Sequence, residues 1–190
     1  MATQDSRIKV KRSTVTATVP TVPSSNDHTD GTWIATDIYK GELFFNQADG
    51  VLWSRDDNGV TCLGGSASLT IASADVLTLN TTPLTIVGAV AGYAIEVVSA
   101  SVKIDFNATA YATNTDINVV CSGALQPQLK DNVLAASVST VRKLLSTSGL
   151  SATDTQLISN ASLLVSVGTG DPMAGDSDIT VYVNYRLIPA

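Results

Sequence analysis

Residues 93–106 read YAIEVVSASVKIDF and alternate apolar with polar side chains from Val98 onward. One face of this stretch carries Val98, Ala100, Val102, Ile104 and Phe106, and the other carries Ser99, Ser101, Lys103 and Asp105. A period of two is typical of a β-strand that buries one face. The stretch therefore predicts a half-buried strand at the centre of a β-rich body.

The same period recurs on both sides of this stretch. Residues 179–187 alternate strictly, and their apolar side carries Ile179, Val181, Val183, Tyr185 and Leu187. Further short strands are predicted at SLTIA (68–72), VLTLN (76–80), LTIVGAV (84–90), YATNTDINVVC (111–121) and residues 163–167. Several strands at this spacing, with polar turns between them, predict an all-β, antiparallel β-sandwich of jelly-roll type.

Residues 131–146, DNVLAASVSTVRKLLS, fit two patterns. Leu134, Val138, Val141 and Leu145 are spaced as one face of a helix, which predicts a short helix here. The high Val, Ser and Thr content favours a strand instead.

The length of 190 residues suits one ordinary domain and an appended segment. We predict an attachment segment over residues 1–63 and the sandwich body over residues 66–190. Gly64-Gly65-Ser66 has the composition of a flexible junction between them.

Charged residues make up 15% of the chain and hydrophobic residues 44%. A surface this poor in charge predicts an oligomer that covers area against partners. The most apolar window, Leu84–Val98, is too short for a membrane span and contains Thr85 and Glu96. With no secretory signal pattern at the N-terminus, we expect synthesis in a cytoplasm and no membrane partner.

The first twelve residues form a basic arm. Arg7, Lys9, Lys11 and Arg12 outweigh a single Asp5, so the arm carries +3 and the rest of the chain −9. Without interleaved aromatic residues this is a weak nucleic-acid signal, and an acidic protein surface is the better target. Because Ile8 and Val10 alternate with the lysines, the arm is also predicted to pair as a strand with another chain's sheet edge.

Residues 13–32 are predicted to be a semi-extended spacer, with Pro20, Pro23 and many turn-forming residues. His28 lies within it between Asp27 and Asp30. With no second His or Cys nearby in sequence, it is interpreted as a solvated loop residue without chemistry.

Residues 41–60, GELFFNQADGVLWSRDDNGV, predict a β-hairpin that turns at Asp49-Gly50. An isolated hairpin would expose its apolar side chains, so the body, neighbouring copies or a foreign surface must cover them. We predict a protein-binding anchor made of these side chains and the basic arm. Its members are Arg7, Ile8, Lys9, Val10, Lys11, Arg12, Leu43, Phe44, Phe45, Leu52 and Trp53.

The N-terminal third resembles a segment found near the N-termini of tailed-bacteriophage fibre and decoration proteins. The likeness rests on Lys11-Arg12-Ser13-Thr14, Val22-Pro23, Gly41-Glu42-Leu43, Asn46, Ala48-Asp49-Gly50, Leu52-Trp53 and Asp56-Asp57. The chain departs from the pattern by an insertion, SSNDHTDGTWIATD, before the hairpin. YATNTDINVV (111–120) and GDPMAGDSDITVYVNYRLI (170–188) also resemble the heads of phage head fibres. The resemblance implies a virion protein with an attachment or trimer-forming segment.

The chain offers no recognisable catalytic constellation, so no enzyme and no cofactor are predicted. Its single histidine lies in the spacer, and nucleophile-elbow and phosphate-loop patterns are absent from the sequence. Asp171, Asp176 and Asp178 are a weak calcium candidate, with a solvated turn as the preferred interpretation. Cys62 and Cys121 are expected to be small buried hydrophobic residues.

Two virion functions follow from the sequence. The first is a homotrimeric head fibre or capsid-decoration protein whose N-terminal segment binds the major capsid protein or another virion protein. The alternative is a tail-associated receptor-binding adhesin for a host glycan or protein, with Tyr93, Tyr111 and Tyr182 as contacts. Neither function needs nucleic acid or a membrane.

Overall fold

A computed structural model describes residues 10–124, 127–146 and 157–190. The chain divides into two compact units, residues 1–64 and residues 65–190, and the boundary falls inside a strand. The strands of the described residues are β1 Lys11–Ser13, β2 Leu43–Asn46, β3 Val51–Asp56, β4 Gly59–Ile71, β5 Leu84–Val87, β6 Tyr93–Asp105, β7 Ile117–Cys121, β8 Leu129–Asp131, β9 Thr140–Lys143, β10 Leu145–Ser146, β11 Leu163–Val167 and β12 Asp178–Pro189. A four-residue helix, α1 (Ser73–Val76), and a 3₁₀ turn, Val133–Ala135, complete them.

The N-terminal unit is built on the predicted hairpin. β2 and β3 pair antiparallel with Phe44 opposite Trp53 and Phe45 opposite Leu52, and the short β1 pairs parallel with β2. β2 and β3 are joined by residues 47–50, and of these four only Gly50 has a positive φ, 66°. A two-residue type I′ turn at Asp49-Gly50 needs a positive φ at both residues, so the loop is longer than that turn. The hairpin prediction is confirmed.

The body is a sandwich of two sheets. One sheet runs β4-β12-β6-β9, where β4 contributes its residues from Gly65 onward, and the other runs β10-β8-β7-β11-β5. Counting β9 and β10 as one strand that changes sheets at the buried Leu144, the orders are first-eighth-third-sixth and sixth-fifth-fourth-seventh-second. This is the strand order of a jelly roll, in which two Greek keys share a core. The all-β sandwich prediction is confirmed.

Alternating residues of the long strands fill the space between the sheets. On β12, every second side chain from Ile179 to Leu187 is at most 4% exposed. β7 and β11 alternate in the same way, with Ile117, Val119, Leu163 and Val165 fully buried. The period of two in the sequence therefore predicts the buried faces of β7, β11 and β12 correctly.

Val98 departs from this pattern. It is 65% exposed, although Ala100, Val102 and Ile104 behind it are buried. In the pairing of β6 with β12, Asn184 faces Ser99 and the next residue, Tyr185, faces Val97, so Val98 is skipped by a β-bulge. The prediction that Val98 faces inward is therefore wrong, because the extra residue at the bulge reverses the alternation of side chains along β6.

Three local predictions are corrected. Residues 131–146 form no helix beyond the 3₁₀ turn, and their later part forms β9 and β10 instead. Strands are favoured here because β-branched side chains fit a sheet better. VLTLN (76–80) is the end of α1 and a turn. Gly64-Gly65-Ser66 lies inside β4, where Gly65 is needed because a Cβ would stand 2.7 Å from Tyr185 Cζ.

Within the described parts of the chain, no helix has both the length and the apolar character needed to cross a membrane.

Candidate functional site

The hairpin presents two different faces. Phe44 and Trp53 are each 1% exposed and share their face with the buried Val51 and Arg55. Leu43, Phe45 and Leu52 lie on the opposite face and remain partly exposed. Of the predicted anchor residues, Phe44 and Trp53 are therefore already covered by the chain itself.

The spacer is tied to the hairpin turn rather than extended away from it. Asn46, at the end of β2, donates from Nδ2 to the carbonyl oxygens of Val15 and Thr18 at 3.1 and 3.2 Å. The Asp49 carboxylate accepts from the Ala17 N–H at 2.6 Å and from Asn46 Nδ2 at 2.6 Å. These bonds give the spacer the partners that its sequence did not reveal, because they join residues about thirty positions apart.

Asp37 organises a second tie between the spacer and the segment before β2. Its buried carboxylate accepts from Thr21 Oγ1 at 2.6 Å and from the Ile34 N–H at 2.8 Å. The Thr21 hydroxyl, with the Ile34 amide and the nearby Lys11 and Arg55 charges, holds the pKa of Asp37 below its ordinary value. The carboxylate is thus a charged structural group inside the N-terminal unit.

The described part of the basic arm belongs to the same unit. Lys11 Nζ donates to the Asp37 carbonyl oxygen, and Lys11–Ser13 forms the parallel strand β1 on the chain's own β2. Val10 is 36% exposed, and Arg12 is exposed. The strand pairing predicted for another chain's sheet is made within this chain over these residues, while Arg7, Ile8 and Lys9 lie outside the described residues.

An aromatic cluster lies in the segment that precedes the hairpin. The Trp33 and Tyr39 rings are tilted by 37° with centroids 4.5 Å apart. His28 meets both rings edge-on, at 6.3 Å from Trp33 and 6.0 Å from Tyr39. His28 is exposed, as expected for a loop residue, but its contacts with the two rings were not predicted from the sequence. We call His28, Trp33 and Tyr39 the aromatic cluster.

Two carboxylates flank His28 of this cluster in the sequence, and Ser25 bonds both to Trp33 and to the loop that carries them. The Trp33 indole N–H donates to the Ser25 carbonyl oxygen at 2.9 Å, and the Asp27 N–H donates to Ser25 Oγ at 3.0 Å. Asp30 also hydrogen-bonds the Ser25 side chain. The hydroxyls of Thr29 and Thr32 donate to Asp27 and Asp30 at 2.6 Å and are the main cause of a lowered pKa at each.

In the body, the three acidic residues of the calcium candidate serve three different loops. Asp171 accepts from the Asn80 and Thr81 N–H groups at 2.8 and 3.1 Å, and Asp178 accepts from the Ser73 N–H at 2.9 Å. Asp176 accepts from the Ala108 and Thr109 N–H groups at 3.1 and 2.9 Å. Among the described residues no cluster of three acidic, His or Cys side chains is gathered for a metal. These carboxylates accept hydrogen bonds from three other segments of the body, which are contacts that neither the calcium nor the solvated-turn interpretation included.

The tyrosines predicted for the adhesin alternative occupy different places. Tyr111 is 3% exposed and its hydroxyl donates to the Ser177 carbonyl oxygen at 2.6 Å, so it is a core residue. Burial raises its pKa to about 12. Tyr182 is 44% exposed on the outer face of β12, and Tyr93 is partly exposed at the start of β6.

The cysteines differ as well. Cys121 is 1% exposed, and burial raises the pKa of its thiol, as expected of a small buried residue. Cys62 is only half-buried, so the same expectation is wrong for it.

Comparison with known proteins gives one structural likeness to report. No family model and no curated protein matches the chain. A chain in the cyanophage Pam1 capsid asymmetric unit is similar, at 17% identity and a TM-score of 0.44, over 66% of this chain and 86% of that one.

Proposed function

We propose that the chain is a structural protein of a bacteriophage virion, a homotrimeric head fibre or capsid-decoration protein that its N-terminal unit attaches to the particle. The observation that carries the proposal is the two-faced hairpin. Its inner face is filled by the chain, and its outer face keeps Leu43, Phe45 and Leu52 partly exposed. Partly exposed aromatic and aliphatic anchors are typical of protein interfaces.

The sequence resemblance implies an attachment segment that contains this hairpin, and the basic arm enters the same unit through β1. β1 is the edge strand of its sheet. Among the described residues, no strand pairs with the side of β1 that faces away from β2. Open strand edges pair readily with other chains. The hairpin face and the strand edge together give the N-terminal unit two means of docking.

The outer face of the body supports self-association. Three neighbouring strands place Ser68, Tyr182 and Ser101 in register, with Ser66, Asn184 and Ser99 in the row beside them. Thr70 and Thr180 hydrogen-bond across the same face at 3.1 Å. Lys103 and Lys143 lie in register with Thr180 and Ser101 at one side of these rows. The small uncharged side chains of the other positions cost less to desolvate against an identical copy than charges would, which supports a homo-oligomer.

Particle attachment tests the hairpin's role. Leu52→Ser removes an outer apolar side chain without touching the buried face, so we expect the purified variant to fold but to associate with particles at least about tenfold more weakly, as for the loss of an interface anchor. Leu77→Ser, a half-buried position in the body, is the control. Particle association of Leu52→Ser at the unchanged level would contradict an anchor at this face.

Copy number separates this proposal from a tail adhesin. A decoration protein or head fibre is expected at tens of copies or more per purified virion, and an adhesin at only a handful. Native mass spectrometry of the isolated protein is expected to give a trimer, and a monomer at micromolar concentration would contradict the trimer.

A further inference from the structure

The aromatic cluster is not used by the attachment proposed above. Tyr39 is 48% exposed and the neighbouring Ile34 is 60% exposed, so ring and aliphatic surface are both open to solvent in the isolated chain. The backbone around them is held in place by the Trp33 indole bond to Ser25 and by the Tyr39 N–H, which donates to the Glu42 carboxylate at 2.8 Å. A fixed and exposed aromatic surface of this kind is typical of a site that binds another molecule.

The formal charges of residues 13–39 have a single sign, and Lys40, next to Tyr39, is paired with Asp57. Residues 13–39 contain Asp27, Asp30 and Asp37 and neither Lys nor Arg. Asp37 is buried on Thr21 and Ile34, which leaves Asp27 and Asp30 as the exposed charges. Both carboxyl groups are ionised at neutral pH, as aspartates ordinarily are, and the threonine hydrogen bonds lower their pKa values further. A phosphate or nucleic acid would therefore be repelled from this surface.

The chain's own cations are mostly held elsewhere. Of those in the described part of the chain, six are bound by acceptors of the same chain. They are Lys11, Lys40, Arg55, Lys103, Arg142 and Arg186. The other three described cations, Arg12, Lys130 and Lys143, are exposed. None of the nine is bonded to Asp27 or Asp30 in the contacts of the described residues, so we expect the complementary charge to come from another protein.

We propose that the aromatic cluster, with Asp27 and Asp30, docks an arginine side chain presented by a partner protein. The planar guanidinium stacks on an indole or phenol ring and at the same time donates to a carboxylate. A lysine ammonium offers no planar surface for stacking, and a saccharide offers no charge for the two carboxylates. The aromatic surface and the carboxylates together therefore select arginine.

The indole N–H resonances of the full chain provide the test, because Trp33 and Trp53 give one signal each and Trp53 is buried. We expect the peptide acetyl-Gly-Arg-Gly-Arg-Gly-amide to shift the Trp33 signal in a saturable way and to leave Trp53 unmoved. The lysine peptide is expected to bind about threefold or more weakly, and the citrulline peptide, which keeps the plane and loses the charge, weaker still.

Two variants locate the site. Asp27→Asn with Asp30→Asn is expected to weaken the arginine peptide by about fivefold, whereas Asp105→Asn, an exposed acid of the body, leaves binding unchanged. Tyr39→Ala removes one ring and keeps the Tyr39 backbone bond, so it also weakens binding while the Trp33 signal still reports a folded unit.

Three results would overturn the proposal. They are an unmoved Trp33 signal, equal binding of the citrulline peptide, and a Trp33 shift with neutral oligosaccharides but not with arginine. The experiment needs no virion, so its failure is distinguishable from a failure of the proposed attachment function.

Discussion

Single residues decide how the loops of the body fit together. Gly175 has a φ of 92°, and a Cβ at this position would lie 2.2 Å from Tyr111 Cδ1. Tyr111 is in turn buried and bonded to Ser177. The glycine is required twice over, by its backbone conformation and by the ring above it.

Gly175→Ala is expected to destabilise the body by about 2 to 4 kcal/mol, since the left-handed conformation and the clash with a buried ring both add cost. Thermal unfolding measures the change. Gly88→Ala is the matched control, because a Cβ there meets nothing within 4 Å. Equal melting temperatures for the two variants would show that the Tyr111 contact is not rigid.

Asp171 and Asp176 predict an acid-dependent loss of stability. Backbone N–H bonds, from Thr81 and Thr109 respectively, are the main cause of a lowered pKa at each carboxyl group. A pKa below that of the unfolded chain, about 4, means that the stabilisation is present above that value and is lost as the pH falls through the folded-state pKa.

We therefore expect the melting temperature of the Asp171→Asn, Asp176→Asn variant to be lower at neutral pH and to fall less than that of the parent below about pH 4. Unfolding followed by circular dichroism across this range checks it. Parallel curves for the two proteins would mean that these carboxylates do not carry the acid sensitivity.

At the scale of elements, the hairpin has one face that the chain covers and one face that remains partly exposed. Phe44 and Phe45 are adjacent in β2, yet one faces Trp53 inside the unit and the other faces Leu52 on the partly exposed side. A substitution of Phe44 therefore tests the stability of the N-terminal unit, and a substitution of Phe45 tests its partly exposed face.

Phe44→Ala is expected to destabilise the N-terminal unit by about 3 to 5 kcal/mol, as large-to-small changes in a packed core do. Phe45→Ala is expected to cost clearly less, because its ring is not fully buried. Hydrogen exchange of the β2 and β3 amides measures both. A larger loss of protection in Phe45→Ala would reverse the assignment of the two faces.

At the scale of the whole molecule, each unit has a core of its own. The body buries alternating residues of β6, β7, β11 and β12 between its sheets, and its loops are joined by Asp171, Asp176 and Asp178. A jelly roll of this size buries enough apolar area to fold independently.

We expect a fragment of residues 65–190 to give one cooperative thermal transition with native near-ultraviolet circular dichroism. Loss of that signal with retained β-structure would show instead that the body needs the N-terminal unit to complete its packing.

Local sequence patterns predict much of the fold. The alternation of residues 179–187 and the hairpin around Asp49-Gly50 are each set by neighbouring residues, so a period of two or a turn dipeptide is enough to predict them. The jelly-roll class follows from the number and spacing of such strands.

The failures share a different cause. Val98 is exposed because β6 bulges against a strand more than eighty residues later, and 131–146 forms strands because the sheets offer pairing that outweighs helical spacing. The aromatic cluster and the carboxylate ties also depend on such contacts, between residues whose separation in sequence carries no signal.

By itself, the sequence determined the β class, the hairpin and the residues available for an anchor, because these depend on local periodicity and turn chemistry. Only the tertiary structure decided which rings are buried, which carboxylates hold loops and which aromatic side chains remain open to a partner. Burial and hydrogen bonding between distant segments are settled only when the chain packs.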